Sequence, residues 1–391
     1  MPNPYRTLWS TPAVLPALTA VFVSALPIGM AGLAIILTVQ HWTGSLPLAG
    51  LLAGVFSAGN AVGLLAQGRI LSHWNPALVI MITGLVSALG FALLIMIGYG
   101  GATPVIMIIL VAICGVTVPA ITTAVRAWLP LVVADDAGRT AGYALLTVLF
   151  QGAILLGPML VSLAVAAALP AASLGLIALL LLGSVVLFRQ AVRTRQAGAA
   201  PRPVTRGWWR HGLGWLLAVS AGSGLATGIT TVAVPGVMTV AGVVVLAGVV
   251  ASAAALGDVV GALGYGSRAW PGRPWTRLAI VAGGGATVGV IALLVAGVPW
   301  LLVLTGFAGG LLAAPQGVVL SGLLDRVVPA EALARGYSSM VCAGLLAGAV
   351  GSTLAAALLP VLGERGLLLL PPIALAGAAT VALMARRSTP E

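Results

Sequence analysis

The chain contains no lysine: its eighteen basic residues are all arginines, set against seven carboxylates, and charged side chains make up 6% of 391 residues. So little charge cannot solvate a globular domain of this length in water. Without lysine there is no GxxxxGK[ST] loop either, so ATP is excluded as the direct energy source by that route. Cysteine is equally scarce. Cys114 and Cys342 lie far apart inside apolar runs, no metal-ligand spacing occurs around them, and both read as packing residues. His41, His73 and His211 are isolated near the ends of apolar runs and read as surface residues. Scattered carboxylates provide no acid, base or metal cluster for catalysis, so the chain is not expected to be an enzyme or to hold a metal or cofactor.

Apolar residues fill the space that charge leaves. They make up 60% of the chain, and the mean hydropathy is +1.16. A helix needs about 20 apolar residues to cross a bilayer, and only helices or closed barrels satisfy their backbone there. The long runs predict an all-α membrane protein with twelve spans, near 12–38, 47–70, 77–98, 104–128, 140–167, 172–188, 213–236, 241–265, 278–297, 300–322, 336–361 and 366–385.

An internal repeat organises these spans. GNAVGLLAQG at 59–68 returns as GDVVGALGYG at 257–266 with the same glycine spacing, and Gly142, Tyr143 and Gly157 find counterparts in Gly336, Tyr337 and Gly351. Both offsets are close to half the chain, which predicts two pseudo-symmetric six-helix halves: residues 1–188 and 213–391, joined by an arginine-rich linker at 189–212.

The net charge of +11 could suggest nucleic acid, but the arginines follow membrane sidedness. With a cytoplasmic N-terminus, Arg6, Arg69, Arg126, Arg139, the six arginines of 189–210, Arg268, Arg273, Arg277, Arg326, Arg335, Arg386 and Arg387 fall inside. Only Arg365 falls outside, so both termini are expected in the cytoplasm and nucleic acid is not an expected partner. The linker either contacts anionic lipid headgroups or serves only as a topology signal, and Trp208 and Trp209 read as interfacial anchors. The N-terminal segment lacks a small-residue cleavage site and is expected to stay.

Five carboxylates, Asp135, Asp136, Asp325, Glu331 and Glu391, fall in cytoplasmic loops or the tail, and Glu364 falls outside. Asp258 alone falls within a span, where an ionisable group is a functional hypothesis by default. It either couples protons, or caps a helix or pairs with an arginine as a structural latch. Its repeat equivalent is Asn60, on one stripe with Ser57, Gly63 and Gln67. Ser220, Ser223, Thr227 and Thr231 share a face of the seventh span and form either a cavity wall or helix-to-helix hydrogen bonds. Thr122 and Arg126 in the fourth span, and Thr147 and Gln151 in the fifth, are pairs one turn apart; Arg126 either meets a negative partner or snorkels to the surface. Gln316 beside Pro315, and Pro119 at the matching place in the fourth span, mark helices that can break around a central site. Gly152, Gly157 and Pro158 allow close helix contact and bending.

The two six-helix halves, the basic central loop and the glycine-rich second and eighth spans resemble the major facilitator superfamily over the whole chain. GRILSHWNP at 68–76 is similar to its loop between the second and third helices, with Ser72 where an aspartate usually stands. GAILLGPMLVS at 152–162 is similar to the antiporter signature of proton-exchanging exporters, with Val161 and Ser162 replacing the closing glycines. VRAW at 125–128 resembles bacterial sugar or drug efflux members, although Arg126 comes later than the family's membrane-embedded arginine. The resemblance implies a secondary transporter of a bacterial inner membrane, exporting an amphipathic small molecule in exchange for protons and working as a monomer. The alternatives are an uncoupled or importing carrier of a neutral solute, or a transporter-like sensor or scaffold.

Overall fold

The computed structural model describes Leu8 and residues 13–101, 103–167, 169–193, 212–243 and 245–388. Arg6, Trp208, Trp209, His211, Glu391 and most of the linker lie outside the described residues. Thirteen α-helices are present among the described residues: α1 Val14–Thr43, α2 Leu46–Leu71, α3 Pro76–Tyr99, α4 Pro104–Val116, α5 Ile121–Val132, α6 Asp136–Ala166, α7 Pro170–Arg193, α8 Leu213–Val240, α9 Val245–Gly266, α10 Pro274–Leu294, α11 Pro299–Val327, α12 Leu333–Leu367 and α13 Leu370–Ser388. Eleven helical segments are long and apolar enough to cross a bilayer. A twelfth is reached when Ala357–Leu367 and Leu370–Ser388, bent by 84°, are taken as one span.

The side-chain pattern of α3 shows the solvent these helices were built for. Ile82, Leu85, Leu89, Leu93 and Met96 recur at spacings of three and four and are all exposed, while Ile80, Gly84, Ala88, Phe91 and Leu94 face inward and are buried. An exposed stripe of large apolar side chains with helical period is a lipid-facing surface. Proline and glycine set the ends. Asn75 caps α3 by accepting the Ala77 N–H at 2.9 Å, with Pro76 opening the helix, and Gly44 closes α1 at φ +67°, in the left-handed region glycine tolerates.

By contact the chain forms two compact units. The described residues of Thr7–Val132 and Leu149–Val204 make one, and those of Val133–Val148 and Thr205–Glu391 make the other. Within the first, α2 packs on α4, α1 and α3 each pack on α7, and α3 packs on α4. Within the second, α9 packs on α11, α8 and α10 each pack on α13, α10 packs on α11, and α8 runs along α12.

The repeated glycines explain the closest of these crossings. A Cβ on Gly63 would overlap the Val116 carbonyl of α4, and one on Gly261 would overlap the Leu311 carbonyl of α11. Glycine removes the side-chain layer between helices, so backbones approach directly. Gly63→Ala and Gly261→Ala are each expected to lower stability by about 1–3 kcal/mol, because a backbone carbonyl cannot swing aside as a rotamer can. Gly54→Ala and Gly264→Ala, which meet open space, should be neutral or stabilising by up to about 1 kcal/mol. Thermal unfolding of the four purified variants checks the contrast, and equal midpoints would refute it.

The fourth span departs from the sequence reading. In place of one helix over 104–128 there are two, α4 and α5, separated by residues 117–120. Pro119 has no N–H and disfavours helical geometry at Val118. Gln67 of α2 mends the gap: its Nε2 donates to the Val116 and Val118 carbonyls at 3.2 and 2.8 Å, and its Oε1 accepts the Ala120 N–H at 3.0 Å. Pro315, at the matching place in the repeat, leaves α11 continuous. There Tyr265 stands where the repeat has Gln67, and it has no carboxamide to mend a break.

The helix that carries the eleventh span also differs from 336–361. This helix, α12, continues to Leu367 across a kink at Gly363 (φ +67°, ψ 172°), and the part from Ala357 onward belongs to the bent pair with α13.

Candidate functional site

A small polar group lies among the apolar side chains of the second unit. Ser223 of α8 donates to the Val219 carbonyl one turn back at 2.9 Å, and its hydroxyl accepts a hydrogen bond from Gln316 Nε2 of α11. Gln316 and Ser220 are both buried, and the Ser220 hydroxyl has no hydrogen-bond partner. Farther along the α8 stripe, Thr227 and Thr231 are exposed and donate to their own helix, to Ser223 O at 3.0 Å and Gly228 O at 2.6 Å. The stripe thus divides: Ser223 meets Gln316, Ser220 is buried without an acceptor, and Thr227 and Thr231 are exposed and back-bonded. The arrangement offers neutral donors and acceptors and no charge.

Asp258 is half-buried on α9 at the crossing with α11. Its neighbours Gly257 and Gly261 seat against the Phe307 and Leu311 carbonyls, and a Cβ on Gly310 would fall 2.8 Å from the Asp258 nitrogen. Val249, Leu256, Val260 and Leu263 on the other face are exposed. Asn60, the repeat equivalent, is half-buried on α2, and a Cβ on Gly115 of α4 would fall 3.2 Å from its nitrogen. The two repeat positions therefore occupy the same kind of glycine-tight crossing, each within its own unit.

The other sequence-derived residues are spread over two helices. Thr122 and Arg126 are half-buried on α5, beyond the break. Thr147 is half-buried on α6 and donates to the Tyr143 carbonyl at 2.9 Å. Gln151 and Gly152 are half-buried, Gly152 facing open space. Gly157 is buried, and its Cβ position lies 2.6 Å from the Gly29 carbonyl carbon of α1, so its role is close approach; Pro158 beside it is exposed. No group of three or more His, Cys, Asp or Glu side chains is placed to hold a metal among the described residues.

A second polar cluster is not evident from sequence. Asp325 lies in the last turn of α11 rather than in a loop. Its carboxylate accepts from two fully buried phenols, Tyr143 of α6 and Tyr337 of α12, the latter at 2.9 Å. The two rings stand 6.3 Å apart. One residue on, Arg326 donates to Asp136 at 2.7 Å, and Arg139 approaches the same carboxylate at 3.7 Å. Asp136 likewise begins α6 rather than lying in a loop, and Asp135 caps that helix by accepting the Gly138 N–H at 2.6 Å. The signal is present in the repeat, since Tyr143 and Tyr337 are the pair matched between the halves. Their meeting on one carboxylate required the fold.

An all-helical membrane architecture of this kind is shared with several solved transporters. A bacterial homologue of the iron transporter ferroportin, in an outward-facing state, superposes with a TM-score of 0.78 at 14% identity, over 95% of this chain and 99% of that one. The human organic anion transporter MFSD10 (TETRAN) gives 0.68 at 15% identity, over 95% and 99%. A structure of the E. coli fucose:proton symporter FucP gives 0.69 at 13% identity, over 96% and 98%. At such identities the likeness concerns the fold. No curated protein matches the sequence. The model of the Major Facilitator Superfamily matches residues 17–352, and with its apolar spans, paired glycine crossings and carrier-type fold this chain belongs to that superfamily of membrane transporters.

Proposed function

We propose that the protein is a proton-coupled exporter of an amphipathic small molecule, working by alternating access in a bacterial inner membrane with both termini cytoplasmic. The observation that carries this reading is Asp258, the one carboxylate that the sequence places within a span, half-buried at the α9–α11 crossing. A carboxylate held there can take up and release a proton as its surroundings change between states, which is the minimum a proton-coupled carrier requires. Asn60 occupies the corresponding crossing in the other unit and supplies a polar but non-titrating group. In this reading Arg126 is a further gate or coupling candidate, and Thr122, Thr147 and Gln151 are candidates for contact with the substrate.

The pairing of Ser223 with Gln316 favours a second reading, an uncoupled carrier of a neutral, hydroxyl-bearing solute, because that cluster offers hydrogen bonds without charge. One of the structurally similar proteins is a fucose:proton symporter, so a sugar-like solute is compatible with the fold.

Proton movement separates the two. In proteoliposomes with an imposed pH gradient, Asp258→Asn is expected to reduce gradient-driven transport to background while leaving counterflow exchange of labelled substrate largely intact. Loss of both activities, or of neither, would remove Asp258 as the proton carrier. A wild-type protein that transports without any proton flux would select the second reading.

A further inference from the structure

A cavity of about 250 Å³ lies wholly within the second unit, against the first turns of α6, the α9–α10 connection and the end of α11. Four arginines line it, Arg139, Arg268, Arg277 and Arg326, with two carboxylates, Asp136 and Asp325. The carboxylates are already engaged. Asp136 faces Arg326 and Arg139, and Asp325 accepts from its two tyrosines.

Arg268 and Arg277 are left over. Arg268 is exposed and has no acidic partner among the described residues. Arg277 is half-buried; its Nη1 donates to the Tyr265 hydroxyl at 3.2 Å, and its buried Nε has no acceptor. A guanidinium N–H removed from water without an acceptor is unfavourable, and the geometry of the group matches an oxyanion that can take several hydrogen bonds at once. The cavity wall is also shaped for more than a bare ion. Tyr265 and Trp270 stack with centroids 5.1 Å apart and planes within 9°, and Trp270 Nε1 donates to the Tyr265 carbonyl at 2.8 Å, fixing a flat aromatic side beside the arginines.

We propose that this cavity binds a phosphate-bearing group through Arg277 and Arg268, with the Tyr265–Trp270 pair against its organic portion. Phosphate suits the site because its oxygens present a tetrahedral set of acceptors to two guanidinium forks. The chemistry is shared by the headgroup of an anionic phospholipid and by a free phosphorylated molecule. The site is separate from the Ser223–Gln316 cluster and from Asp258, and it stands whichever transport reading holds.

Thermal unfolding of the purified full chain in mild detergent tests it, with three additions at matched ionic strength: sodium chloride, sodium pyrophosphate, and phosphatidylglycerol in mixed micelles. A rise in the unfolding midpoint with phosphatidylglycerol alone assigns the site to a lipid headgroup. A rise with pyrophosphate assigns it to a free phosphate group. In either case Arg277→Gln and, separately, Arg268→Gln should weaken the response about tenfold in ligand concentration. Arg268 is exposed, so its variant is informative even where Arg277→Gln fails to fold. No midpoint shift beyond the chloride control, or a shift that Arg268→Gln leaves unchanged, would overturn the proposal.

Discussion

Replacing Gln67 by leucine is expected to be among the most damaging single substitutions in the protein, lowering stability by about 3–6 kcal/mol. Three backbone groups, the Val116 and Val118 carbonyls and the Ala120 N–H, rely on the Gln67 carboxamide. Each buried polar group left without a partner costs roughly 1–3 kcal/mol. Water is a poor substitute here, because Gln67 is 3% exposed and the break lies in the middle of a span. Leucine fills a similar volume and keeps the apolar contacts, so the loss isolates the hydrogen bonds. Ser57→Ala on the same helix is the control: Ser57 is exposed and bonds only to its own helix, at Ala53 O, and should change stability by less than about 0.5 kcal/mol. Thermal unfolding of both variants, together with hydrogen exchange at residues 117–120, tests the assignment. Equal stability of Gln67→Leu and wild type would mean that the break is satisfied in another way.

Asp325→Ala is the second large effect, about 3–5 kcal/mol. The carboxylate is a charged acceptor for two phenols, and a hydrogen bond to a charged group contributes about 1.5–3 kcal/mol. Tyr143 and Tyr337 are both fully buried, so neither hydroxyl finds water once the carboxylate is gone. Tyr337 retains a weaker alternative in the Ser321 carbonyl at 3.2 Å. Tyr143→Phe and Tyr337→Phe should each cost less than Asp325→Ala, since each removes one of the two phenol bonds to the carboxylate. The combination of Asp325→Ala with Tyr143→Phe should be distinctly less harmful than the sum of the two, since they remove the same bond. The effect is expected to appear locally as faster hydrogen exchange in the first turns of α6. Additive losses would show that Tyr143 and Asp325 stabilise the fold independently.

Much of the architecture is legible without coordinates because a bilayer imposes a simple rule. Backbone polar groups must be satisfied within each crossing segment, so long apolar runs can only be helices, and counting them approximates counting spans. The repeat is equally readable, because a glycine that permits backbone contact cannot drift: Gly63 and Gly261 retain their spacing from Gly59 and Gly257 since all four sit against another helix. The sequence also makes Asp258 conspicuous, as a charge where charge is costly.

The places where the reading falls short share a cause. The α4–α5 break needs Gln67, a residue 49 positions from Val116 and 51 from Val118, and proline alone does not predict it, since Pro315 sits inside an unbroken helix. Asp325 and Asp136 read as loop charges because local hydropathy ends a helix where charge begins. In the structure their helices extend further, and the charges are satisfied by Tyr143, Tyr337 and Arg326. The α8 hydroxyls look equivalent along their face, yet Gln316 reaches Ser223, while Thr227 and Thr231 donate to the Ser223 and Gly228 carbonyls of their own helix.

By itself, then, the sequence determined the solvent, the helical class, the approximate spans and the twofold plan, all of which follow from composition and short-range periodicity. Only the tertiary structure decided which polar groups meet, because a hydrogen bond depends on separations of about 3 Å between residues as far apart in the chain as Tyr143 and Asp325, which lie 182 positions from each other.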